Sequence, residues 1–183
     1  QPVIWSPASS VIIPIANYLW EKEYKMDVPL IYQNDSFPTV LTPIVIGTWE
    51  SYAKEHNITG FRSLHDIAVL ENSDLKFAHT DPRLSNSGFL SILLEIAAAS
   101  GKNVSDITLS DLMRDDVKEW IRELESRGVY YGSSTGFLLD HAVESGPESL
   151  NVFIVYENLI LEKNLSGAPQ AKWGQKLVAV YPI

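Results

Sequence analysis

The sequence contains no cysteine. That excludes disulfides, thiolate zinc sites, iron–sulfur clusters and cysteine nucleophiles, and it leaves the compartment open. Positive charge is scarce: 14 Lys and Arg stand against 23 Asp and Glu, giving a formal charge of −9 and a pI near 4.8. Nucleic acid is therefore not an expected partner, because binding its phosphates needs a basic surface that displaces counterions. An anionic membrane surface is disfavoured for the same reason. Long apolar runs are missing too. Residues 11–19 and 92–99 come nearest and are too short or too interrupted to span a bilayer. No internal repeat or low-complexity tract is visible.

What remains is a globular composition, 45% hydrophobic and 20% charged over 183 residues. A chain of this length buries roughly 70% of its unfolded surface, enough for a core without covalent staples. It allows one domain or two small lobes. Strands are expected at residues 3–5, 40–46, 75–79, 129–131, 151–155 and 177–181, with Pro43 weakening the second or placing it on an edge. Helices are expected after the Ser9 and Ser10 caps, then at 48–56, 63–70, 89–100, from Thr108 or Ser110 to 127, at 135–144 and at 157–163. Gly101 and Gly128 read as C-caps. Residues 23–38 read as irregular. Strands separated by helices of about ten residues imply βαβ units, an α/β fold with a mostly parallel sheet flanked by helices. The chain opens and closes on strands that read as buried, so a piece of a longer protein is expected.

Four Asn-X-Ser/Thr sequons occur, at Asn34, Asn57, Asn103 and Asn164. They hint at a glycosylated surface protein, and coincidence in polar loops explains them equally well.

Several strands run into hydroxyl-rich turns that open helices. Helix N–H groups and cap hydroxyls then converge beyond the carboxyl ends of the strands. Trp5 leads into Ser6, Ser9 and Ser10. His79 leads into Asp81, Arg83, Ser85 and Ser87. Tyr131 leads into Ser133 and Ser134, and the strand ending at Val155 delivers Tyr156 and Glu157. Such a set suits an oxyanion or a polyhydroxyl solute. The plainer readings are structural caps at Ser9 and Ser10, a self-bonded turn with Arg83 on Asp81, and a Glu157 that merely favours the start of its helix. Residues 132–136 lack the Lys of a nucleotide-binding loop. His56, His65, His79 and His141 show no metal-ligand spacing, no Gly-x-Ser-x-Gly elbow is present, and only His79 ends a strand beside a candidate site. No catalytic residue, metal ligand or cofactor is expected.

The phrases VIWSPASS (3–10), TPIVIGTWE (42–50), HTDPRLSNSG (79–88), VYENLIL (155–161) and LVAVYPI (177–183) resemble, in this order and spacing, the extracellular solute-binding proteins of ABC importers. These have the two-lobed type II periplasmic-binding-protein fold. The resemblance implies a truncated two-lobe protein: residues 1–45 as part of lobe one, 46–176 as lobe two and 177–183 as the return towards lobe one. It implies a small polar or anionic solute held in the cleft without chemistry. The contacts would come from Ser6, Ser9 and Ser10 in lobe one, Thr48 in the first crossing, and Asp81, Arg83, Ser85, Ser87, Ser133 and Ser134 in lobe two, with Thr135 beside them. Tyr156 and Glu157 would stand near the hinge. An ABC permease as partner and an extracellular, periplasmic or cell-surface location follow from the same resemblance. The alternative is a surface interaction or sensory domain on this fold that binds no solute.

Overall fold

The computed structural model describes residues 7–38 and 40–182. The strand expected at 3–5, and Ser6, lie outside the described residues. The chain divides into two units, Gln1–Leu41 and Thr42–Ile183.

In the first unit, helix α1 covers Ile12–Tyr24 and ends at Lys25 in the left-handed conformation. Pro14 sits in its first turn, where a missing N–H costs nothing. Just ahead of the helix, Ser9 Oγ accepts the Val11 N–H at 3.3 Å. The irregular segment that follows is tied back by Asn17, whose amide donates to the Ile31 carbonyl and accepts its N–H, both at 2.9 Å.

The second unit is built on five strands, β1 (Ile44–Trp49), β2 (Phe77–Thr80), β3 (Gly128–Gly132), β4 (Val152–Tyr156) and β5 (Leu177–Val180), in the order β3-β2-β4-β1-β5. β2 is parallel to β3 and β4, whereas β1 is antiparallel to both β4 and β5. Four strands therefore run one way and β1 runs against them. The unit begins at Thr42, and β1 and β5 are hydrogen-bonded neighbours within its one sheet.

The sheet is covered by helices. α2 (Glu50–His56) packs on β1 and β5. α3 (Phe61–Ala68), α4 (Asn86–Ser100) and α6 (Asp115–Glu125) pack on one another, with the short α5 (Leu109–Met113) beside them. α7 (Thr135–Ser145) packs on α8 (Glu157–Ser166), and α8 on α9 (Ala168–Trp173). β1, β2 and β4 are buried almost throughout, as apolar strands between helices must be. Trp49, Phe61, Phe77, Leu138, Phe153 and Ile154 fill the core.

Three differences from the expected elements have local causes. The helix expected through 108–127 is broken at Arg114, which is extended (φ −66°, ψ 133°) and starts α6, its guanidinium bonded to Asp116 in the first turn. Gly128 opens β3 instead of capping that helix, which ends at Ser126, and it is not among the glycines with the positive φ that a left-handed cap uses. Ala168–Trp173, where the sequence suggests no element, forms α9, with a proline at its N-terminus as helix geometry allows.

Candidate functional site

β2, β3 and β4 run parallel, so their carboxyl ends lie side by side, and α4, α7 and α8 each begin there. The Asp81 N–H donates to the Gly132 carbonyl at 2.8 Å, joining the ends of β2 and β3. Behind that bond runs a row of hydroxyls. Ser87 Oγ is 2.7 Å from Thr80 Oγ1 and 2.6 Å from Thr135 Oγ1, with Ser85 Oγ 3.3 Å away. Thr80, Ser87 and Thr135 are buried. Gly88 lets the helix approach this closely, because a Cβ at that position would stand 1.9 Å from the Thr80 carbonyl oxygen.

Ser85 and Ser134 occupy the N-cap positions of α4 and α7 in extended conformation, yet neither side chain caps its helix. Among the described residues, the first-turn N–H groups, which have no partner within a helix, are thus left without a side-chain cap at two adjacent helix starts. Each start also carries the positive end of a helix dipole.

Asp81 accepts hydrogen bonds from Arg83: its N–H at 2.8 Å, Nε at 3.0 Å and Nη2 at 2.6 Å. The guanidinium bonds, then the backbone bond, hold the Asp81 carboxyl down at about 2. The Arg83 side chain is 85% exposed. Tyr156 OH accepts from Asn86 Nδ2 at 2.9 Å, while Asn86 Oδ1 is buried without a partner. Glu157 accepts from the Tyr181 hydroxyl, a bond that raises the phenol, and its N–H donates to the Pro43 carbonyl at 3.0 Å.

The structure thus brings Asp81, Arg83, Ser85, Ser87, Ser133, Ser134, Tyr156 and Glu157 to one end of the sheet. Ser9 and Ser10 belong to the first unit. Thr48 does not belong with the others. β1 runs against β4, so Thr48 lies opposite Val152, where β4 begins, and its buried hydroxyl donates to the Asn151 carbonyl at 2.8 Å. Thr80 and Asn86 were not legible as site residues. Their signal, a strand-ending Thr and a polar first helical residue, is too common to single out.

A second polar group lies on the α4 side of the sheet. His79 and Glu95 are buried and Glu125 is half-buried. Burial, and then the charge of Glu125, push the Glu95 carboxyl well above the usual range. Burial also works to raise Glu125, but its contacts with His79, and then Tyr131, prevail and hold it low. An apolar hollow of about 360 Å³, lined by Ile44, Leu90, Leu93, Leu94, Val104 and Tyr181 among others, contains none of the expected site residues. Ser145 Oγ and His141 Nε2 are 3.4 Å apart, at the far end of α7 from the strand ends. Among the described residues, no helix is long and apolar enough to cross a membrane.

No protein-family model matches the chain, and no curated protein matches it in sequence. Solved structures do match in fold. The sulfate-binding protein SubI from Mycobacterium tuberculosis H37Rv is 18% identical, covering 77% of this chain and 40% of its own, with a TM-score of 0.56. An ABC transporter structure from Clostridium perfringens is 13% identical, covering 98% of this chain and 48% of its own, with a TM-score of 0.53. The expected fold class is therefore observed: α/β, of the periplasmic-binding-protein kind. The chain spans less than half the length of either neighbour.

Proposed function

We propose that the chain is part of an extracellular or periplasmic solute-binding protein serving ABC-type import, and that it recognises a small polar or anionic solute without chemistry. The observation that carries this reading is the pair of uncapped helix starts at Ser85 and Ser134, side by side at the strand ends. Main-chain donors, a positive dipole end and hydroxyls at one place suit an oxyanion or a hydroxyl-rich solute. The fold shared with a sulfate-binding protein adds support. In this reading Thr42–Ile183 is one lobe and Gln1–Leu41 contributes part of the other. Pro43 enters β1 and Tyr181 leaves β5 at the same end of the sheet as Glu157, where a hinge would lie. Solute bonds to both lobes would then favour the closed population.

The test is a thermal-shift and calorimetric screen of the chain, and of the longer protein containing it, against sulfate, phosphate, sugars and amino acids. A bound solute raises the melting point, and does so increasingly as its concentration exceeds its Kd. For an anion, Arg83→Ala should weaken binding, and unchanged affinity would remove Arg83 from the site. A longer protein that responds to none of these would favour a surface interaction or sensory domain.

A further inference from the structure

Three acid–base side chains from three elements meet on the α4 side of the sheet: His79 of β2, Glu95 of α4 and Glu125 of α6. One ligand atom of each lies within 4.8 Å of the other two. His79 is 1% exposed and Glu95 0%. A buried carboxylate needs donors or a cation in place of its lost water.

The donors can be followed atom by atom. Glu95 Oε1 accepts from the Ser91 hydroxyl at 2.9 Å, and Glu125 Oε2 from the Tyr131 hydroxyl at 2.6 Å. Glu95 Oε2 is buried with no partner. His79 Nδ1 lies 2.7 Å from the Thr80 carbonyl, which only accepts, so Nδ1 carries the ring proton. In the neutral ring Nε2 then turns a lone pair towards Glu125 Oε1, another acceptor, 3.0 Å away. With the ring neutral, a lone pair, a carboxylate and a carboxylate oxygen without a hydrogen-bond partner converge in an enclosed place, and among the described residues no Lys or Arg is bonded to them.

We propose that His79 Nε2 and the carboxylates of Glu95 and Glu125 bind one divalent first-row transition ion, of which Zn²⁺ is the type. Imidazole with carboxylate suits zinc, cobalt or manganese, whereas calcium and magnesium prefer all-oxygen shells. Metal–ligand bonds of about 2.0–2.2 Å set ligand atoms about 3–4 Å apart, which small rotations from the present spacing reach. The outer partners are in place. Thr80 holds the His79 tautomer, Ser91 holds Glu95 and Tyr131 holds Glu125, as supporting bonds do around a bound metal. The site is separate from the proposed solute site. An ion there would clamp β2, α4 and α6 together, and α4 is the helix whose start carries Ser85 and Ser87.

The experiment is titration of the chelator-treated chain with Co²⁺, then Zn²⁺. One equivalent of Co²⁺ should develop visible d–d absorption that Zn²⁺ abolishes. The melting point should rise by roughly 5–10 °C with the ion at about a hundred times its Kd. Glu95→Gln keeps the shape and the Ser91 bond, and it should weaken Co²⁺ binding by at least the roughly 10–100-fold seen when even an outer partner is lost. His65→Ala, at the separate His65–Glu123 pair, should leave binding unchanged. The proposal is overturned by an absent spectrum with an unmoved melting point, which would mean that protons alone fill the cluster. A signal that survives Glu95→Gln, or falls with His65→Ala, overturns it as well. If Glu95→Gln does not fold, X-ray absorption of the zinc-loaded wild-type chain decides: one imidazole among oxygens supports the site, and two or more refute it.

Discussion

The Ser87 hydroxyl lies 2.6 Å from that of Thr135, joining the first turns of two helices that follow neighbouring parallel strands. Thr80 completes the buried row on the other side of Ser87. Ser87→Ala would leave two buried hydroxyls short of a shared partner, a loss of about 1–3 kcal/mol. Chemical denaturation should show that loss. Solute affinity should fall with it, because the two helix starts are no longer held in register. A variant of wild-type stability would mean that the row does not hold the site.

Gly88→Ala tests the same junction by crowding. The added Cβ would fall 1.9 Å from the Thr80 carbonyl oxygen, and backbone on both sides has little room to yield. The cost should reach or exceed the roughly 1–3 kcal/mol of ordinary overpacking. The melting point reads it directly, and a shift within error would show that α4 can slide away from β2.

How far the sequence reveals this arrangement depends on whether the deciding contact is local. The apolar spacing of α4 and the β-branched run of β4 announce their elements, and Ser85 and Ser134 stand where hydroxyls open helices. Thr48 misleads because strand direction is a pairing property. Only the antiparallel register with β4 carries it to the far end of the sheet. The break at Arg114 interrupts an apolar pattern that continues through it, so periodicity alone cannot show it. His79, Glu95 and Glu125 have no motif spacing, since three separate elements bring them together. Asn164 is a sequon whose side chain is already committed. Its amide donates to the Leu177 carbonyl and accepts the Leu177 N–H, a structural use that a tripeptide pattern does not reveal.

The class of solute can be read from one substitution. Asp81 holds Arg83 by three hydrogen bonds, so an anion must compete with a carboxylate for the guanidinium. Asp81→Asn keeps an oxygen for the Arg83 N–H and releases the charge. Affinity for sulfate or phosphate should rise by about two- to fivefold, the scale of an exposed ion pair. A hydroxyl-rich solute that donates to Asp81 should instead bind more weakly, and calorimetry separates the two signs.

Acid stability should depend on Asp111. Lys102 Nζ donates to its carboxylate at 2.8 Å, the Thr108 hydroxyl at 2.7 Å and the Thr108 N–H at 2.8 Å. These bonds, the Lys102 bond foremost, hold the carboxyl far below its ordinary value of 3.8. A depressed folded-state value means that the unfolded chain takes up the proton first as pH falls. The stabilisation is complete above the ordinary value and drains away below it, down to the folded value. Asp111→Asn removes the titration, so the stability gap between wild type and variant should be constant at neutral pH and narrow steadily below about pH 4. Denaturation midpoints followed from pH 7 to pH 2 check this. A gap that stayed constant across that range would show that Lys102 and Thr108 do not favour the ionised form.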